Sequence, residues 1–100
     1  MPPDLTGAQR KYLKKIAHDL SPVAFVGKNG LTHEVVAAVD EAIATNELIK
    51  VKFQDFKDQK RELAASLADE TNSALVFIIG NVAILYREHA DPRERKISLP

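Results

Sequence analysis

The residues best suited to chemistry in this chain are cations and bare backbone rather than nucleophiles. Gly27-Lys28-Asn29-Gly30 follows an all-apolar run, Val23-Ala24-Phe25-Val26. It precedes a helix start in which Thr32 is the natural N-cap and Glu34 lies in the first turn. Two glycines allow φ > 0 and let a ligand approach the main chain closely. The first amides of the next helix lack internal partners and carry partial positive charge. Lys28 adds a full charge, and Asn29 adds a donor and an acceptor. This combination suits an anion, above all a phosphate; a plain strand-to-helix turn would use the same glycines. The loop is not a nucleotide P-loop. Pro22 stands where that motif needs a glycine, and Asn29 stands where it needs Ser or Thr.

A second set of cations lies upstream. Thr6 to Asp19 reads as a helix, with Thr6 and Gln9 forming a capping box. At about 100° per residue, Tyr12, Leu13, Ile16, Ala17 and Leu20 fall on one arc. Arg10, Lys14, His18, Lys11 and Lys15 fall on the other, with no acid among them. Soluble helices usually mix signs on their outer face. An unmixed basic face fits a polyanion, and a merely solvated face is the plainer alternative. His18, in the middle of this face, could meet a phosphate when protonated or a base when neutral.

Catalysis finds little support. His18, His33 and His89, four serines and many carboxylates are present, but no nucleophile elbow and no metal-ligand spacing. No catalytic residue, metal or cofactor is therefore expected. The absence of Cys removes disulfides and thiolate sites. No basic-then-apolar leader and no membrane-length apolar run is visible, so the expectation is a soluble cytoplasmic protein with no membrane partner.

Fourteen Lys and Arg balance 14 Asp and Glu, and the pI is near 6.8. A nucleic-acid-binding domain is more often strongly basic. The charges are nevertheless unevenly spread. Residues 1–30 hold Arg10, Lys11, Lys14, Lys15 and Lys28 against Asp4 and Asp19. Residues 31–49 hold Glu34, Asp40, Glu41 and Glu47 and no Lys or Arg. A basic face and an acidic back would satisfy both facts.

The elements that must position these residues follow from periodicity. Val23–Val26, bounded by Pro and Gly, reads as a strand buried on both faces. Thr32 to about Thr45 is a second helix with Val35, Val36, Val39, Ala42 and Ile43 as its apolar stripe, closed by Asn46. Leu48–Phe53 alternates: Ile49, Val51 and Phe53 point inward, and Lys50 and Lys52 add two cations on an open face. Leu63, Ala64, Leu67 and Ala68 mark a third helix. Ala74–Ile79 and Val82–Arg87 flank a Gly80-Asn81 hairpin turn. Phe25, Phe53, Phe77 and Tyr86 read as core, with Tyr12 and Phe56 as candidates for exposure. Residues 91–100 form an extended basic tail whose Ile97 and Leu99 could tuck back. The order α-β-α-β-α-β-β, with both crossover helices on one face, predicts an α+β two-layer sandwich on a four-stranded mixed sheet. All 100 residues make one domain.

Four segments in this order resemble the CRM domain family, named for chloroplast RNA splicing and ribosome maturation. They are Leu5-Thr6…Gln9-Arg10-Lys11-Tyr12-Leu13…Ala17-His18…Leu20-Ser21-Pro22, Val26-Gly27-Lys28-Asn29-Gly30-Leu31-Thr32, Glu47-Leu48-Ile49-Lys50-Val51-Lys52-Phe53 and Leu85-Tyr86-Arg87. The single-domain length is similar to that of the bacterial stand-alone, YhbY-like members. The resemblance implies a fold similar to the C-terminal domain of translation initiation factor three. It also implies RNA as the partner, with ribosomal RNA in precursors of the large subunit as the bacterial target. The family's loop matches Gly27, Lys28, Asn29 and Gly30, and its basic first helix matches Arg10, Lys11, Lys14 and Lys15. The loop also resembles the Gly-x-x-Gly of KH domains, which clamps backbone nucleotides between two helices rather than between strand and helix. A reading from a different class is a protein-interaction module that docks on a ribosomal protein or assembly factor through an acidic second helix.

Overall fold

A computed structural model describes residues 4–100; Met1, Pro2 and Pro3, part of the stretch read for a leader, lie outside it. The first helix, α1, spans Gly7–Ala17 and starts as its sequence dictates. The Gln9 amide donates to Thr6 Oγ1 at 3.1 Å, and the Thr6 amide donates to Gln9 Oε1 at 3.0 Å. Strand β1 is Ala24–Val26, and α2 is His33–Asn46. Thr32 Oγ1 accepts from the Val35 amide and caps α2. Strand β2 is Leu48–Phe53, and a 3-10 turn at Lys57–Gln59 leads into α3, Lys60–Glu70. Strands β3, Ala74–Ile79, and β4, Val82–Tyr86, form the hairpin. The sheet order is β1-β2-β4-β3, with β1 parallel to β2 and β4 antiparallel to both of its neighbours. The fold is α+β on a four-stranded mixed sheet.

Alternation divides the sheet into two faces. Ile49, Val51, Phe53, Ala83 and Leu85 pack beneath α2 and α3 with Val39, Ile43, Ala64 and Leu67. Both crossover helices thus share one face. The two-layer description needs an addition, because α1 lies on the opposite face. There Leu13 and Ala17 pack on Leu48, Val76, Ile84 and Tyr86, and Ile97 and Leu99 of the tail join them. Burying Leu13 alone stabilises this contact by about 2 kcal/mol. The partial third layer covers only one end of its face.

That partial cover corrects two expectations. Val23–Val26 is not buried on both faces. Strand β1 is an edge strand, and its Ala24 and Val26 are buried while Phe25 stays 48% exposed. Phe77 is also exposed, whereas Phe53 and Tyr86 are core. A run of apolar residues cannot distinguish a central strand from an edge strand whose second face has no helix over it.

Two further differences concern charge. Helix α2 is closed not by Asn46 but by Glu47, in the left-handed region at φ 63°. Glu47 is fully buried, so it drops out of the acidic back. Its carboxylate accepts from the amides of His89, Lys96 and Ile97 at 2.9, 2.7 and 3.2 Å. The tail is held by these bonds and is not simply extended, since Pro92–Glu94 forms a 3-10 turn. Its arginines are paired, Arg93 with Asp91 and Arg95 with Glu88.

Candidate nucleic-acid interface

Helix α1 crosses the sheet obliquely, from β3 at its start to β2 at its end. The Arg10 guanidinium donates to the carbonyls of Leu75 and Val76 on β3. Lys14 Nζ lies 4.8 Å from the centre of the Phe77 ring. The His18 carbonyl accepts from Lys50 Nζ of β2 at 3.2 Å. The buried side of α1 faces the Leu48–Tyr86 end of the sheet, and its basic side faces the other end.

A groove of about 780 Å³ runs between that basic side and the uncovered sheet. Lys11, Lys14, Lys15, His18 and Lys50 line it, with Ile79, Val82 and Ile84 as its floor. No acidic residue is among the lining residues. Four of the five helix residues expected to share a basic face therefore border one groove. Lys50 joins them from β2, on the open face where alternation puts it. Clustering like charges without a counter-charge raises the local potential and favours an anionic ligand.

Arg10 departs from this set. β3 carries a register shift between Leu75 and Phe77, so an extra residue disturbs its pairing with β4. Backbone carbonyls left unpaired at such a shift need another donor. Arg10 supplies it and thereby fastens α1 to the edge strand. The arginine is half-buried and committed to the fold, while Lys11, Lys14 and Lys15 are exposed. The helical wheel places Arg10 correctly in angle but carries no sign of the shifted strand it reaches.

The Gly27–Gly30 loop leaves the open end of the sheet, just past the last β1–β2 pair, Val26 with Phe53. Only Gly30 takes a positive φ, 69°. Its amide donates to the Gly27 carbonyl at 3.0 Å, and its carbonyl accepts from the Thr32 amide at 3.1 Å. A Cβ on Gly30 would meet the Phe56 ring at 3.7 Å, whereas one on Gly27 would meet nothing within 4 Å. Gly30 is thus required by the turn, and Gly27 is not. Gly27 keeps open space above its backbone, consistent with close approach of a ligand. Lys28 and Asn29 are exposed at the loop tip. Lys28 is not among the groove's lining residues; it stands beyond the sheet's open end.

Among the described residues, no group of three or more His, Asp or Glu is placed to hold a metal. No described helix is long and apolar enough to cross a membrane. His33 is exposed at the first position of α2.

Residues 5–87 match the CRS1 / YhbY (CRM) domain. The chain is 37% identical over 97 residues to "Probable RNA-binding protein YqeI" of Bacillus subtilis (strain 168), covering 96% of this chain and 99% of that one. It is 39% identical over 97 residues to an "RNA-binding protein" of Haemophilus influenzae, covering 96% and 95%. The solution structure of SAV1595 from Staphylococcus aureus superposes with a TM-score of 0.81 at 38% identity, covering 97% of this chain and all of that one.

Proposed function

This chain belongs to the CRS1 / YhbY (CRM) domain family, and from that premise we propose that it binds structured RNA along the groove between α1 and the open end of the sheet. The observation that carries the reading is the groove itself: Lys11, Lys14, Lys15, His18 and Lys50 around one concavity with no acid. The groove cations and the Gly27–Gly30 loop hold the sugar-phosphate chain. Such contacts position an RNA without reading its bases, so recognition follows shape more than sequence. We propose ribosomal RNA in precursors of the large subunit as the target and assembly of that subunit as the role. The family resemblance implies that target, and the end-to-end match to single-domain bacterial relatives supports it. No catalytic step is part of this role.

The acidic docking face of the alternative reading is smaller than its sequence suggests. Glu47 is buried and Asp40 is paired with Arg87 at 2.8 Å, which leaves Glu34 and Glu41 exposed and unpaired among the described residues.

The test is a salt titration of binding to a structured ribosomal RNA fragment. With four or five phosphates engaged, log affinity falls against log salt with a slope of about −3 to −4. Lys14→Glu combined with Lys15→Glu weakens binding and makes the slope shallower by about 2. In cell extract, the wild-type chain sediments with precursor large-subunit particles and the double variant does not. Unchanged affinity and slope in the double variant would remove the groove from the account.

A further inference from the structure

The groove cations explain a grip on phosphate, but they do not explain the floor. Register aligns Phe25 of β1, Lys52 of β2, Val82 of β4 and Ile79 of β3 in one row across the whole sheet. The next row on the same face holds Lys50, Ile84 and Phe77. Phe25 and Ile79 are each 48% exposed. A folded chain rarely leaves two phenylalanines and an isoleucine uncovered on one sheet face without a use for them.

Resting on the RNA-binding reading above, we propose that this sheet end is a platform on which unpaired RNA bases stack, with Phe25 as the principal ring. Charge and shape both select the occupant. The apolar floor is bordered by Lys11, Lys14, Lys15 and Lys50 and interrupted by Lys52, and no acid lines the groove. An apolar protein segment would leave those cations uncompensated. A paired RNA helix would offer phosphates to the lysines but no base face to the floor. An unpaired strand offers both at once, because its bases expose π-faces and its phosphates follow the cationic wall. Four strands at about 4.8 Å spacing make the floor about 14 Å wide. Two or three bases fill it, the number that a four-stranded sheet takes up in RNA recognition modules. Phe77 already carries Lys14 over its ring, so a base reaches it only after that lysine swings to a phosphate. Phe25 has no such neighbour among the described residues and stands at the edge nearest the Gly27–Gly30 loop. The platform therefore selects single-stranded loops or bulges within a structured RNA, while the loop and α1 hold the flanking backbone.

The experiment uses the full chain, a ten-nucleotide single-stranded RNA carrying one central 2-aminopurine, and the same RNA annealed to its complement. Wild type quenches the fluorophore in the single strand and binds it more tightly than the duplex. Phe25→Leu keeps the apolar edge position and removes the ring; it lowers single-strand affinity about tenfold, abolishes most of the quenching and leaves duplex binding unchanged. Circular dichroism melts of both proteins coincide, so a lost fold is not the cause. Equal affinity and quenching in Phe25→Leu would overturn the platform, and a dimer of the free chain that RNA does not displace would assign the floor to a second copy instead. If Lys14→Glu with Lys15→Glu abolishes binding while Phe25→Leu changes nothing, RNA binding stands and the platform falls. If wild type binds neither RNA, the platform falls, and the salt titration on the structured ribosomal fragment decides RNA binding separately.

Discussion

Glu47 offers the sharpest single perturbation in the fold. Its buried carboxylate accepts hydrogen bonds from three amides beyond β4, that of His89 and those of Lys96 and Ile97 in the tail. These bonds bring Ile97 and Leu99 against the cluster beneath α1. Glu47→Ala removes both carboxylate oxygens and leaves all three amides without their acceptor. A hydrogen bond to a charged group contributes about 1.5–3 kcal/mol, and because the tail can lift its amides toward water, about 3 kcal/mol in total is expected. For a 100-residue domain that corresponds to a melting point lower by about 15 °C. Burial pushes the Glu47 carboxyl up, but the three amides, helped by the nearby His89, more than offset it and hold it below its ordinary 4.5. Its contribution is then whole above the unfolded value and fades as pH falls through the lower folded one. Glu47→Gln flattens that acid limb and costs about half as much as Ala, because one amide now faces a donor. Thermal melts between pH 2.5 and 7 give both numbers, and hydrogen exchange at His89, Lys96 and Ile97 shows whether the tail is released. An Ala variant melting within 2 °C of wild type, with an unchanged acid limb, would mean that Glu47 does not hold the tail.

Other substitutions separate structural from binding roles. Arg10→Ala removes the donor to the Leu75 and Val76 carbonyls and destabilises by about 2 kcal/mol in urea unfolding, whereas Lys15→Ala stays within about 0.5 kcal/mol. Reversing Arg10 to Glu, attractive from the helical wheel, therefore damages the fold and is a poor probe of RNA binding. Gly30→Ala, at φ 69° and against Phe56, costs about 1–2 kcal/mol, while Gly27→Ala is nearly neutral in the same measurement. Gly27→Asp, with its added charge and unchanged turn, lowers RNA affinity without lowering the melting point.

Much of the fold was legible because its local signals agree with one another. Thr6 and Gln9 cap α1, Thr32 caps α2, and Gly80-Asn81 turns the hairpin, each as its sequence predicts. The alternation of Leu48–Phe53 assigned both faces of β2. What remained hidden was long-range. Nothing near Arg10 announces a register shift 65 residues away. Nothing in Glu47 tells that amides 42 to 50 positions later surround it. The exposure of Phe25 and Phe77 depends on strand order and on where α1 stops, neither of which periodicity encodes. The cations of α1 were readable as a face, yet only the sheet beside them turns that face into a groove.

Chemical-shift mapping of the full chain against a structured RNA that carries an unpaired loop shows where on the surface the RNA sits. Shifts concentrate at Lys11, Lys14, Lys15, Phe25, Gly27–Gly30, Lys50 and Val82 if RNA lies in the groove, with α2 and α3 silent. Shifts centred on Glu34, Glu41 and the outer face of α3, with the groove untouched, would contradict it.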